Sequence, residues 1–237
     1  MSATPIVALD VPGISEARSL VALLGDSCGF YKVGLELFAA EGPEVVRWLR
    51  HEGKQVFVDL KLHDIPNTVR AAARSVASLG ASLLTVHASG GAAMIAAAVE
   101  GAREGASGAS AGACGVLGVT VLTSMDGPSV AQAWGRTGAV EVEAEVLRLA
   151  GLVSEAGAAG IVCSGHEARA VRDRLGDDFG LLVPGIRLEG GERHDQKRVM
   201  TPSMAAAAGA HWLILGRAVT GEADPVAAMQ AVWAELA

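Results

Sequence analysis

The stretch FVDLKLHDIPNT, residues 57–68, places Asp59, Lys61, His63 and Asp64 within six positions at the end of an aliphatic run. Buried strands avoid charge, because desolvating an unpaired ion costs several kcal/mol. Alternation with a period of two sets Phe57, Asp59 and Lys61 on one face of such a strand and Val58, Leu60 and Leu62 on the other. A carboxylate beside an amine in a partly dry setting favours the charged ammonium and fixes where its proton points, as a proton donor requires. Arginine would carry the charge without releasing the proton. The chain favours arginine elsewhere: of 19 basic residues, only Lys32, Lys54, Lys61 and Lys197 are lysines. The plainer reading is an ion pair that plugs a strand end, and the spacing alone does not separate the two.

Other residues of chemical use stand at the ends of apolar runs. Asp10 follows IVAL and suits a metal ligand, a ribose binder or a solvated turn residue. Lys32, His87, Thr123, Ser124 and Ser164 hold similar positions, as does the run Pro184-Gly185-Ile186-Arg187. Gly216-Arg217 follows the last apolar run and precedes a short helical stretch. Glycine lets backbone N–H groups approach an anion, and a helix start adds a favourable dipole, so phosphate is the natural ligand there, with Arg187 and Gln196 nearby. An ordinary Gly-Arg turn is the alternative. His63 and His87 read as structural hydrogen-bonding groups, and Trp48, Met94 and Trp212 as core. The acids form no clear metal triad.

These residues need a frame that gathers strand ends. Short β-branched segments at 5–9, 29–34, 54–61, 82–88, 115–122, 159–164, 180–184 and 211–216 alternate with helical stretches at about 14–25, 36–53, 66–79, 91–104, 139–157, 166–175, 202–209 and 224–236. Thr201-Pro202 reads as an N-cap with proline at the first helical position, and Gly80 and Gly209 as helix ends. Eight strand–helix units predict an α/β fold, a (β/α)8 TIM barrel, with residues 1–237 as a single catalytic domain. A doubly wound open sheet is the runner-up, and the missing Gly-x-Gly-x-x-Gly after the first strand counts against it. GASGASAGA (105–113) reads as a flexible connection, and LEGGERHD (188–195) as a candidate lid.

Composition sets the bounds. Half of the 237 residues are apolar but only 4% aromatic, so the core is aliphatic. The net charge of −7, with no basic tail, argues against nucleic acid as a partner. No apolar run reaches the roughly 20 residues that span a bilayer. Three scattered cysteines, Cys28, Cys114 and Cys163, fit a reducing compartment, and with no basic leader at the N-terminus the expectation is a cytoplasmic protein.

In this order along the chain, ALD (8–10), KVGLELF (32–38), DLKLHDIPNT (59–68), VHASGG (86–91), VTVLTSM (119–125), PGIR (184–187), DQKRVMTP (195–202) and LGRAVT (215–220) resemble segments of the orotidine 5′-phosphate decarboxylase family in its bacterial form. DLKLHDIPNT is the specific one. Val183 departs from the threonine expected before Pro184. The resemblance implies decarboxylation of orotidine 5′-monophosphate to uridine 5′-monophosphate, the last step of de novo pyrimidine biosynthesis, with no cofactor and no metal. It implies that Lys61 protonates C6, that Asp59 sits by the leaving carboxylate and orients the lysine, and that Asp64, with Thr68 nearby, reaches the site of a partner subunit in a homodimer. Asp10 and Lys32 would hold the ribose hydroxyls. Thr123 and Ser124 would lie over the pyrimidine. Arg187, Gln196, Gly216 and Arg217 would grip the phosphate. A metal-dependent decarboxylase or aldolase acting on sugar phosphates, on a related barrel, and a non-catalytic nucleotide-binding protein are the rivals. Dependence on Mg²⁺ would favour the first, and product binding without turnover the second.

Overall fold

In the computed structural model, which describes residues 3–107, 112–188 and 200–237, the aliphatic segments become eight parallel strands. They are β1 (Thr4–Ala8), β2 (Phe30–Val33), β3 (Gln55–Leu62), β4 (Leu83–His87), β5 (Gly115–Val119), β6 (Gly160–Val162), β7 (Gly180–Val183) and β8 (Trp212–Leu215). Each pairs with the next and β8 returns to β1, so the sheet closes into a barrel. Closure splits the apolar residues by strand parity. Ile6, Ala8, Phe30, Phe57, Leu83, Leu117, Leu182 and Ile214 fill the barrel, joined by the partly buried Trp212. Val7, Tyr31, Val58, Leu84, Ile161 and Leu213 face outward into the layer under the helices. The period-two pattern read from β3 holds here, with Phe57 inside and Val58, Leu60 and Leu62 packed in the outer layer.

The described residues hold eleven α-helices: α1 (Ile14–Leu24), α2 (Leu35–Glu41), α3 (Glu44–His51), α4 (Pro66–Ser78), α5 (Ala92–Ala106), α6 (Gly127–Ala133), α7 (Val142–Glu155), α8 (Gly165–Leu175), α9 (Pro202–Ala207), α10 (Arg217–Thr220) and α11 (Pro225–Leu236). Thr201 caps α9 by accepting from the Met204 N–H, with Pro202 in the first turn as expected. The stretch 36–53 is not one helix. Gly42 ends α2 at φ 63, its N–H bonded back to Phe38, and Pro43, with no N–H to donate, starts the next segment. The sequence reading missed α6, which Asp126 starts by accepting from the N–H and hydroxyl of Ser129.

The reading of 105–113 as a connection is corrected at its first two residues, which complete α5. A Cβ on Gly101 or Gly105 would collide with the carbonyl oxygen of Arg70 or Arg74, so these glycines let α5 lie against the backbone of α4. Among the described residues, no helix is long and apolar enough to cross a membrane.

Candidate active site

The ladder between β3 and β4 is irregular where the charged residues stand. Val58 pairs with Leu84, but the next partners are Leu62 and Val86. Three residues of β3 therefore face Thr85 alone, and Lys61 adopts φ 51, the left-handed region that non-glycine residues rarely enter. Simple alternation had put Lys61 on the inward face. The bulge delivers it there by a different route, out of the regular strand and over the barrel mouth.

Four ions of alternating sign result. Asp10 Oδ1 accepts from Lys32 Nζ at 2.8 Å, Lys32 Nζ lies 3.8 Å from Asp59 Oδ2, and the same oxygen accepts from Lys61 Nζ at 2.8 Å. The second carboxylate oxygen, Asp59 Oδ1, accepts from the Thr85 hydroxyl at 2.9 Å. The side chains of Lys32 and Asp59 are only 10% and 13% exposed, whereas that of Asp10, at the rim, is 59% exposed. Gly34 presses on this chain of ions: a Cβ there would lie 2.9 Å from Lys32 Nζ and 3.1 Å from Asp10 Oδ1.

The ions line one side of a 580 Å³ cavity at the C-terminal ends of the strands. Further round the same wall, after β7 and β8, stand Gly185, Arg187, Gly216, Arg217 and Thr220. Arg187 is buried and donates to its neighbour, the Ile186 carbonyl, at 2.8 Å. Burial, and after it the positive charge of Arg217, hold the Arg187 guanidinium below its usual range. With Arg187 and Arg217 both lining it, in a chain of net charge −7, this wall can seat an anion. The dipole expected at the start of the short helix after β8 contributes little, since α10 has only four residues. Val119, Val121, Leu122, Val162 and Ile214 supply the apolar part of the lining.

Of the residues singled out from sequence, Asp10, Lys32, Asp59, Lys61, Thr123, Arg187, Gly216 and Arg217 thus share one cavity. Ser124 is exposed in the turn beside Thr123 and is not part of the wall. Asp64 and Thr68 are also exposed and outside it; Asp64 Oδ1 accepts from the Ile65 N–H at 2.6 Å, and the Ile65 side chain is 67% exposed. Gln196 and all of the candidate lid except Leu188 lie outside the described residues. His87 is half-buried against His63, with ring centroids 5.5 Å apart. Burial, the His63 ring and the Lys61 charge hold its pKa below the ordinary histidine value. Among the described residues, no three His, Cys, Asp or Glu side chains are grouped to hold a metal ion.

Sequence reasoning missed Thr85 and Gly34. Thr85 carried a signal, as a lone hydroxyl at an inward position of SLLTVHA. Gly34 carried none beyond being a glycine after a strand.

Known proteins share this sequence and frame. The profile of the Orotidine 5'-phosphate decarboxylase / HUMPS family matches residues 4–232. The orotidine 5'-phosphate decarboxylase of Moorella thermoacetica is 47% identical over 231 residues, covering 98% of this chain and 91% of that protein. The protein of the same name from Anaeromyxobacter dehalogenans is 50% identical over 229 residues, covering 97% and 96%. The crystal structure of orotidine 5'-phosphate decarboxylase from Lactobacillus acidophilus superposes with a TM-score of 0.87 at 35% identity, covering 100% of this chain and 99% of that one.

Proposed function

The chain belongs to the orotidine 5′-phosphate decarboxylase family, and from that premise we propose that it is a carboxy-lyase that converts orotidine 5′-monophosphate to uridine 5′-monophosphate with Lys61 as the proton donor. The observation that carries this reading is the Asp10–Lys32–Asp59–Lys61 array, lining one cavity together with Arg187 and Arg217. The array suits a nucleotide with its base and ribose by the ions and its phosphate by Arg187, Arg217 and Gly216, and the family resemblance adds Gln196 as a further phosphate ligand. Asp10 and Lys32 take the ribose hydroxyls and Thr123 the pyrimidine, with Ser124, which is outside the wall in the turn beside Thr123, reaching over the base only from that turn.

The chemistry follows from the charges. The bond from C6 to the carboxylate breaks, CO2 leaves, and the electron pair stays on C6 with little delocalisation. A fixed ammonium beside that carbon stabilises the pair and then gives it a proton. Asp59 sits by the leaving carboxylate and holds Lys61 in place. Apolar neighbours such as Val121 and Ile214 strengthen these interactions by keeping the local dielectric low. No step calls for a metal or cofactor. Residues 1–237 act as a single catalytic domain in the cytoplasm, where Cys28, Cys114 and Cys163 stay free thiols.

The active unit in this reading is a homodimer. Asp64 and Thr68 are exposed, lie outside the lining of their own cavity and stand near the exposed Ile65, a placement that suits donation to the site of the partner subunit. One experiment tests both parts. Lys61→Ala and Asp64→Ala are assayed in chelator by the loss of orotidylate absorbance, alone and after being mixed, dissociated and reassociated. Each alone should lose nearly all turnover while still binding product. In the mixture about half the dimers are mixed, and each of these has one intact site, so roughly a quarter of all sites should recover. Turnover by Lys61→Ala within tenfold of the parent refutes the donor. No recovery in the mixture, with exchange verified by labelled subunits, refutes the shared site.

A further inference from the structure

We infer that Thr85 is a positioning residue for the Asp59–Lys61 pair, its hydroxyl joining the left-handed backbone of one to the carboxylate of the other. The inference rests on the reading of Lys61 as proton donor and adds what keeps that donor aimed.

The geometry leaves the hydroxyl one arrangement. The Lys61 backbone N–H is a donor only and points at Thr85 Oγ1 from 3.0 Å. Asp59 Oδ1, 2.9 Å from the same oxygen, belongs to a carboxylate bound to two ammoniums and can only accept. The hydroxyl therefore accepts from Lys61 and donates to Asp59. In such a chain each hydrogen bond polarises the next, and Thr85 is fully buried, away from competing water.

The same hydroxyl repairs the sheet. In a regular ladder the N–H groups of β3 would find carbonyls of β4, but between Val58 and Leu62 the register shifts. The Lys61 N–H would be left without a partner in a half-buried place, on a residue already strained at φ 51. The Thr85 side chain replaces the missing carbonyl. One group thus fixes the start of the Lys61 side chain through its backbone, while Asp59 Oδ2 fixes its end through Nζ at 2.8 Å. Without the hydroxyl, both Asp59 and the Lys61 backbone lose a constraint together, and the ammonium is free to swing from C6.

The test compares Thr85→Val, which keeps the shape and removes the hydroxyl, with Thr85→Ser, which keeps the hydroxyl. Thr85→Val should lower kcat by roughly 10- to 100-fold, the scale on which small misplacement of a reacting group is felt. KM and product binding should stay within about threefold, because the ribose and phosphate contacts lie elsewhere. Thr85→Ser should restore kcat to within about threefold of the parent. A purely structural role would lower Tm and the active fraction in both variants without splitting kcat from KM. If Thr85→Val does not fold, Thr85→Ala against Thr85→Ser gives the same comparison at smaller volume. Parent-like kcat in Thr85→Val or Thr85→Ala, or equal losses with and without the hydroxyl, overturns the inference. Lys61→Ala run in parallel separates the two failures: if it turns over, the donor assignment falls, and if it is inactive while the hydroxyl-free variant is not, only the role of Thr85 falls.

Discussion

Gly34→Ala tests whether the buried ion chain grips the ligand. Gly34 has φ −91, which any residue adopts, so the new methyl group brings no backbone strain. The cost comes from space. The methyl carbon would stand 2.9 Å from Lys32 Nζ and 3.1 Å from Asp10 Oδ1, so the ammonium must withdraw by about 0.5 Å to reach an ordinary contact. Its present position is set by Asp10 at 2.8 Å and Asp59 at 3.8 Å, and withdrawal loosens the first of these bonds. A hydrogen bond between charged groups contributes about 1.5–3 kcal/mol, and weakening it by half to two-thirds costs about 1–2 kcal/mol of ligand affinity. That corresponds to a rise of roughly 5- to 30-fold in KM and in the product Kd. Alanine is also a poorer N-cap than glycine for α2, so Tm should fall by about 2–4 °C for a loss near 1 kcal/mol. Gly29→Ala, where a Cβ meets nothing within 4 Å, is the control and should leave KM unchanged. A KM and product Kd within twofold of the parent in Gly34→Ala would refute the reasoning.

Arg217→Ala should raise KM for orotidylate by the equivalent of roughly 2–4 kcal/mol and affect the phosphate-free nucleoside far less; equal losses for both substrates would contradict the phosphate assignment. Stability should also depend on pH through His211, whose Nδ1 accepts from Arg172 at 3.0 Å and from the Leu181 N–H at 3.2 Å. Burial and the Arg172 charge hold its folded pKa below the ordinary 6.5, and His87 is depressed in the same direction, so the contribution is complete above about pH 6.5 and is lost as the pH falls below it. Tm should drop between pH 7.5 and 5.5, and less in His211→Asn; a flat profile in the parent would refute the assignment.

Much of this was legible because a barrel is a repetitive solution. Apolar runs of four to eight residues separated by helical stretches leave few ways to bury both faces of a sheet. Once the barrel is assumed, the residues just past each strand must converge, which is why Asp10, Lys32, Asp59, Lys61, Thr123, Arg187 and Arg217 could be gathered before any coordinates. What escaped depends on contacts between segments. The break at Gly42–Pro43 lies inside a pattern that is helical on both sides. Helix α6 is short and rests on one Asp126 cap. The left-handed Lys61 cannot be read from DLKLHD, because nothing local calls for it. The register of β4 and the hydroxyl of Thr85 impose it from another strand.

The residues that break local rules are the ones the proposed chemistry uses, and each is made tolerable by a neighbour. A lysine in left-handed backbone costs on the order of 1–3 kcal/mol, yet here its N–H and its ammonium are both held. A buried carboxylate is unfavourable alone, but Asp59 lies between two ammoniums and under a hydroxyl, so both of its oxygens are satisfied. Lys32 is similarly flanked by Asp10 and Asp59. At this end of the cavity the ions satisfy one another. Arg187 and Arg217 line the same cavity, and burial, then the charge of Arg217, hold the Arg187 guanidinium below its usual range. In the reading proposed above, the phosphate of a nucleotide binds by Arg187 and Arg217 while its base lies against an ion array that is already internally paired. Binding energy collected at the arginines can therefore hold the base against an array that need not move to receive it, which is the division of labour by which remote contacts lower the barrier at a reacting carbon.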